Sequence, residues 1–339
     1  MTAADFALRL VAWQRQHGRH DLPWQRTRDP YRVWLSEVML QQTQVGTVRG
    51  YYARFLARFP TVQDLAAAPL DEVLALWAGL GYYSRARNLH ACAQAVSARG
   101  GFPREAAALA ALPGIGPSTA RAIAAFCFGE RLSIFDGNVQ RVLARLLAFD
   151  DDLARSPAVK ALWARADALV PATAEAMPAY TQGLMDLGAT VCTPRAPDCP
   201  ACPVQSLCAA HAQGRVAELP RKTKTLKRGQ RESWWLWLER EPDGALWLQQ
   251  RPARGIWAGL WSLPLFDDEA ALQAAAAGAA LEVMPAIQHA LTHLDWRLHP
   301  RRARWRRADS PLPEGRWVPP DEWVAHGMPA PLQKLLSGA

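Results

Sequence analysis

Up to about residue 213, apolar side chains recur at three- and four-residue intervals, the spacing that lines one face of an α-helix. Ala, Leu and Arg dominate this stretch. Pro23, Pro30, Pro60, Pro69, Gly79 to Gly81, Gly100 to Gly101, Pro171 and Pro178 punctuate it, as helix breakers should. Two-thirds of the chain is therefore expected to be almost entirely helical. From Ser233 the pattern becomes strand-like. Trp234-Trp235-Leu236-Trp237-Leu238 and Ala245-Leu246-Trp247-Leu248 flank Pro242-Asp243-Gly244, which predicts a hairpin. An Ala-rich helix is expected near residues 268–280. Ten of the fifteen tryptophans fall in this last third, the composition of a packed β core. In between, Arg221, Lys222, Lys224, Lys227, Arg228 and Arg231 make residues 214–232 a basic linker without a core. No repeat of 20 to 50 residues is present. The fold class is a mainly α domain followed by an α+β domain.

The most informative segment is Leu112-Pro113-Gly114-Ile115-Gly116-Pro117-Ser118-Thr119-Ala120, followed by Asp136-Gly137-Asn138. A helix near residues 104–111 stops at Pro113. Gly114 and Gly116 permit torsions closed to other residues, and Ser118 can cap a helix running through Ala120, Ile123, Ala124 and Cys127. Free N–H groups and a positive dipole end suit a phosphate. An ordinary αα-turn is the alternative, but the Pro-Gly-hydrophobic-Gly order points to a DNA hairpin.

Two carboxylates stand out. Glu37 lies in the segment Tyr31 to Thr43, flanked by the apolar residues Val33, Trp34, Leu35, Val38, Met39 and Leu40. A carboxyl group in such a helix is paired, protonated or functional, and desolvation raises its pKa toward that of a proton donor at neutral pH. Asp136 sits at the entry to a helix over residues 139–147, where capping is the usual role of Asp. Two carboxyl groups in unlike environments also suit glycosidic cleavage: one protonates the leaving group and the other supports the cationic sugar.

Cys192, Cys199, Cys202 and Cys208 are spaced C-x6-C-x2-C-x5-C. Zinc and iron–sulfur clusters both accept four thiolates; the compact, unequal spacing with a single knuckle favours a [4Fe–4S] cluster. Cys92 and Cys127 read as core thiols. The net charge of +8 fits a polyanion partner. No apolar run spans a membrane and no signal-peptide pattern opens the chain, so a cytoplasmic location and reduced cysteines are expected.

The hairpin, the Asp136 turn and the cysteine loop resemble the helix-hairpin-helix DNA glycosylases that carry an iron–sulfur cluster. Leu22-Pro23-Trp24, the stretch from Trp34 to Val45, and Gly79-Leu80-Gly81-Tyr82-Tyr83-Ser84-Arg85 are similar to the MutY-type adenine glycosylases among them. The resemblance implies a catalytic domain over residues 1–213. Residues 25–135 would form a helical barrel module, and 1–24 plus 136–213 an iron–sulfur module, with the active site in the cleft between them. It implies excision, by base flipping, of adenine mispaired with 8-oxoguanine or guanine in double-stranded DNA, by a monomer. Glu37 would protonate adenine N7 and Asp136 would stabilise the sugar cation, supported by Asn138. Trp24, Gln182 and Ser118 would border the base pocket. Gln42 and Tyr82 would wedge into the duplex, and Gly114, Gly116 and Ser118 would hold backbone phosphate. The family's lyase branch has a lysine at position 118; serine cannot form a Schiff base, which implies a monofunctional glycosylase.

Residues 233–339 resemble the MutT-like (Nudix-fold) domain of this family through the stretch Arg251 to Pro264. Residues 265–284 offer Asp267, Asp268, Glu269 and Glu282 without the paired glutamates of a Mg²⁺-binding Nudix helix, so binding without hydrolysis is expected. Thr292 and His293 occupy the family's 8-oxoguanine-reading loop, in which Leu291 replaces an aromatic residue. Arg297, Arg301, Arg302, Arg304, Arg306 and Arg307 offer a second phosphate surface or a solvated strand face. Other readings are a thymine- or uracil-mismatch glycosylase, an endonuclease III-like lyase, a non-catalytic DNA-binding protein and a Nudix hydrolase. Ser118 opposes the lyase, the MutT-like domain opposes both enzymes, the two carboxylates oppose the binder, and the missing metal carboxylates oppose the hydrolase.

Overall fold

A computed structural model describes residues 2–223, 227–241, 243–307 and 312–338; Lys224 of the basic tract and Pro242 of the expected turn lie outside them. The helices, in chain order, are α1 (Ala3–His17), α2 (Pro30–Leu40), α3 (Val45–Arg58), α4 (Val62–Ala67), α5 (Leu70–Trp77), α6 (Ser84–Ala98), α7 (Ala106–Ala110), α8 (Pro117–Ile123), α9 (Gly137–Leu146), α10 (Ser156–Asp167), α11 (Met177–Asp186), α12 (Ala209–Ala212), α13 (Glu269–Ala275) and α14 (Ala330–Ser337). By contacts the chain divides into two compact units. One holds Met1–Ala53, Thr61–Gln63 and Ala91–Lys224; the other holds Arg54–Pro60, Asp64–His90 and Thr225–Ala339.

Among the described residues, the regular elements of the first unit are all helices. Its core joins α1, α9, α10 and α11 through Phe6, Leu10, Val139, Leu143, Leu162, Tyr180 and Leu184. Burying each large aliphatic side chain there contributes about 1.5–3 kcal/mol. Helices α1 and α11 cross closely because Gly183 has no side chain: a Cβ there would meet Leu10 Cγ at 3.1 Å. Two helices widen into π-turns where they reach functional positions. The turn after α8 covers Ala124–Phe128, and the one after α11 covers Leu187–Val191, ending at Cys192. Such turns re-aim side chains without ending a helix.

Among the described residues, eight strands make the sheet of the second unit: β1 (Gly229–Arg240), β2 (Leu246–Gln250), β3 (Trp261–Ser262), β4 (Leu265–Phe266), β5 (Glu282–Val283), β6 (Ile287–Ala290), β7 (Leu294–Trp305) and β8 (Arg316–Val318). The main order is β3-β2-β1-β7-β5, with β1 and β7 parallel over their full length, Gly229 opposite Leu294 and Arg240 opposite Trp305. Trp257 stacks on Trp235 and Trp296, with ring centroids at 5.6 and 4.5 Å. The fold class is therefore mainly α in the first unit and α+β in the second.

Local differences from the sequence reading have physical causes. The expected helix near 268–280 spans only Glu269–Ala275, capped by Asp268, and Ala277 and Gly278 turn to positive φ immediately afterwards. The tract after residue 214 is not free of packing: Leu219 is buried, Arg215 pairs with Asp150 and Glu218, and Leu153 N–H donates to Arg221 O. Strand β1 already begins at Gly229. The arginines of β7 are mostly committed: Arg301 pairs with Glu269, Arg302 with Glu239, and Arg304 with Glu241. Arg306, just beyond the strand, also pairs with Glu241.

Candidate active site and thiol pocket

Helix α2 is buried along Val33, Trp34, Leu35, Ser36, Val38 and Met39. Glu37 projects from it into a cavity of about 170 Å³, walled by Trp24, Gln25, Ser36, Phe126, Ala179 and Gln182 among others. Glu37 keeps some exposure at the cavity face, yet no hydrogen bond or ion pair reaches its carboxyl group among the described residues. Of the readings open from sequence, pairing is removed. Desolvation first, and then the negative charge of Asp136, push its pKa up to about 8. The group is thus mainly protonated at neutral pH, as a general acid must be.

Asp136 caps α9. Its Oδ1 accepts from Asn138 N–H at 2.7 Å and Val139 N–H at 2.8 Å. Capping and proximity to Glu37 therefore coexist in one side chain. Asn138 is fixed in turn: its Oδ1 accepts from Arg141, whose guanidinium also donates to Gly188 O and Cys192 O. Only glycine fits at 188, where a Cβ would come within 2.7 Å of Asn138 Cβ.

Helices α7 and α8 and their Pro-Gly turn form the hairpin. Leu112 and Ile115 anchor it in the core, while Pro113, Gly114, Gly116 and Pro117 are exposed. Gly114 adopts φ +71. Gly116 does not need glycine's torsions: it is the extended N-cap of α8, at φ −76, and open space faces it. Ser118 is not the cap. It lies inside the helix, and its hydroxyl accepts Phe135 N–H at 3.0 Å, which ties the hairpin to the residue before Asp136.

That segment is clamped from a second side. Trp163 Nε1 donates to Ser133 O at 2.9 Å and its ring stacks on Phe135. Asp167 accepts from Ser133 N–H and from Arg121. None of these partners was evident from sequence.

Trp24 is buried, edge-on to Tyr52. Gln182 is buried, and its Nε2 donates to Asp186 at 2.8 Å. Gln25, which sequence reasoning missed, has both side-chain polar atoms buried without a partner. Natural proteins seldom leave an amide so, and nothing in its local sequence marks it. Gln42, in the first unit, holds a left-handed backbone at φ 57. In the second unit Tyr82 does the same at φ 47 and is 45% exposed. Strain of this kind collects at functional sites. The Tyr82 hydroxyl bonds the Thr292 hydroxyl. Thr292 and His293 are exposed in the turn between β6 and β7, and this turn, Tyr82 and Trp257 line a second cavity. Asp267, Asp268 and Glu269 are engaged with Arg231, the α13 cap and Arg301.

Cys192, Cys199, Cys202 and Cys208 are free thiols around one pocket. No group of His, Cys, Asp or Glu among the described residues is arranged to grip a single metal ion. The surroundings nevertheless suit thiolates. Backbone N–H groups of Val204 and of Ala210 and His211 point at Cys202 and Cys208, and buried Arg145 reaches Cys192 Sγ at 3.3 Å. Burial and mutual repulsion push the Cys202 thiol up to about 11, so four anions here require a cationic centre. The donor set and its N–H cradle fit a multi-iron cluster.

The HhH-GPD superfamily of base excision DNA repair proteins matches residues 35–166, and the NUDIX domain family matches residues 235–338. Adenine DNA glycosylase of Buchnera aphidicola (strain Bp) is 37% identical over 78% of this chain and 75% of its own length. The chain belongs to the adenine DNA glycosylase family. The rat member is 41% identical over 76% of this chain and 60% of its own length, and the human member 48% identical over 59% and 38%. Among solved structures, a thermostable thymine-DNA glycosylase is 29% identical with TM-score 0.55, covering 62% of this chain and 97% of that one. An endonuclease III–DNA complex, 23% identical with TM-score 0.50 over 63% and 98%, shares the fold. Family membership makes the chain a base-excision DNA glycosylase, an enzyme acting on DNA. No helix among the described residues is long and apolar enough to cross a membrane.

Proposed function

We propose that this glycosylase excises adenine standing opposite 8-oxoguanine or guanine in duplex DNA. The observation that carries this reading is Glu37: an unpaired carboxyl group, protonated up to about pH 8, in a cavity roomy enough for one extruded base. Glu37 donates its proton to adenine N7. The C1′–N9 bond then breaks with its electron pair going to the purine. The resulting oxocarbenium ion faces the Asp136 carboxylate, and Asn138 holds the turn that presents it. Water adds at C1′ and its proton returns to Glu37. A pyrimidine has no N7 to receive this proton, which disfavours thymine as substrate.

Ser118 supplies no amine, and its hydroxyl is engaged by Phe135 N–H, so the reaction stops at the abasic site. The exposed hairpin with Gly114 and Gly116 binds phosphate, Gln42 and Tyr82 enter the duplex, and Thr292 with His293 reads 8-oxoguanine. Residues 1–213 form the catalytic domain and 233–339 the reading domain. A [4Fe–4S] cluster on Cys192, Cys199, Cys202 and Cys208 cross-links the loop beside α9, and no catalytic step passes through it. The test is Glu37→Gln. Excision should be abolished while binding to an A:8-oxoguanine duplex persists; normal excision would overturn the assignment.

A further inference from the structure

We propose that Asp186 is a positioning residue that sets which purines the Glu37 cavity accepts, by fixing the direction of the Gln182 amide. The inference rests on that cavity being the base pocket.

Asp186 is almost wholly buried at the end of α11. Its carboxylate is surrounded by donors. Oδ2 accepts Arg19 N–H at 3.0 Å, and Oδ1 accepts Arg19 Nε at 2.8 Å and Gln182 Nε2 at 2.8 Å. A carboxylate held against a guanidinium offers only acceptors. The amide one turn earlier on the same helix must therefore present its NH₂ group to it; the reverse orientation would set carbonyl oxygen against carboxylate in a buried site, with neither satisfied. With Nε2 committed, Oε1 is the end of Gln182 left for the cavity that the side chain lines.

An acceptor at this place favours a base carrying an exocyclic amine, as adenine does at position 6. It disfavours a base carrying a carbonyl there, as hypoxanthine and guanine do. The discrimination is thus held by a residue that does not itself line the cavity. The Arg19 pair, anchored just beyond the end of α1, keeps the carboxylate from turning away.

Asp186→Asn keeps the shape but lets the pair invert, because asparagine can donate to a rotated Gln182. Gln182→Leu removes the acceptor and leaves the Asp186–Arg19 pair intact. Single-turnover excision is measured on duplexes carrying deoxyadenosine or deoxyinosine opposite 8-oxoguanine, with melting followed by circular dichroism. The expected result is that the adenine-to-hypoxanthine rate ratio falls about tenfold or more in both variants, mostly through slower adenine release. Hypoxanthine release should be kept or raised in Asp186→Asn. A merely structural role would slow both substrates together and leave the ratio unchanged, and that outcome overturns the proposal. Should Asp186→Asn not fold, Gln182→Leu decides by the same ratio. Failure of the pocket reading itself is separable, since Glu37→Gln would then excise adenine normally.

Discussion

Glu37 makes the site's chemistry measurable as stability. Its pKa rises from an ordinary 4.5 to about 8 in the folded protein, so between those values the native state holds a proton that the unfolded chain releases. The sign follows: stability is complete below pH 4.5 and is lost as pH rises toward 8. The slope is about 1.4 kcal/mol per pH unit inside that window, with a ceiling of about 5 kcal/mol reached above it; partial solvation at the cavity face brings the figure down. Glu37→Gln removes the titration and keeps the shape. Urea unfolding of both proteins at pH 6, 7, 8 and 9 should show the variant gaining on the wild type by up to about 2 kcal/mol between pH 6 and 8, then running parallel. The same titration governs catalysis. Single-turnover excision by the wild type should be level below pH 8 and fall about tenfold per unit above it, while the variant should be slower by about 10²- to 10⁴-fold below pH 8 and lack that alkaline limb. Parallel stability curves from pH 6 to 9, or an excision rate that climbs through pH 8, would refute the assignment.

Asp136→Asn should preserve the α9 cap, since an amide oxygen still accepts from Asn138 and Val139 N–H groups, yet slow excision by tenfold or more. Because the Asp136 charge raises the Glu37 pKa, the alkaline limb of the rate profile should also move to lower pH; an unmoved limb would contradict their coupling. Purified protein should contain about four irons per chain and absorb broadly in the visible, whereas stoichiometric zinc in a colourless protein would remove the cluster. Borohydride should trap no covalent protein–DNA adduct during turnover, and an adduct would show that an amine other than residue 118 attacks the sugar.

The hairpin was legible because its stop signals are chemical: Pro113 ends one helix, Gly114 needs positive φ, and Pro117 opens the next. The Cys192 loop was legible from spacing, and Glu37 from a charged group in an apolar helix. What sequence could not supply is orientation. Ser118 reads as a cap, yet the chain brings Phe135, seventeen positions away, to its hydroxyl. Asp167, Trp163 and Arg121 look like ordinary helix-face residues until α10 folds beside the Asp136 segment. Gln25 and Asp186 owe their significance to burial beside the cavity, a tertiary property. Arg301 and Arg302 read as part of a basic stripe because their carboxylate partners, on α13 and β1, are more than thirty residues distant.

Single-turnover release of base from three matched duplexes, with adenine opposite 8-oxoguanine, adenine opposite guanine and thymine opposite guanine, bears on the central claim most directly. Adenine should be released from the first two, and thymine should stay in place in the third. Release of thymine with adenine left in place would contradict the account.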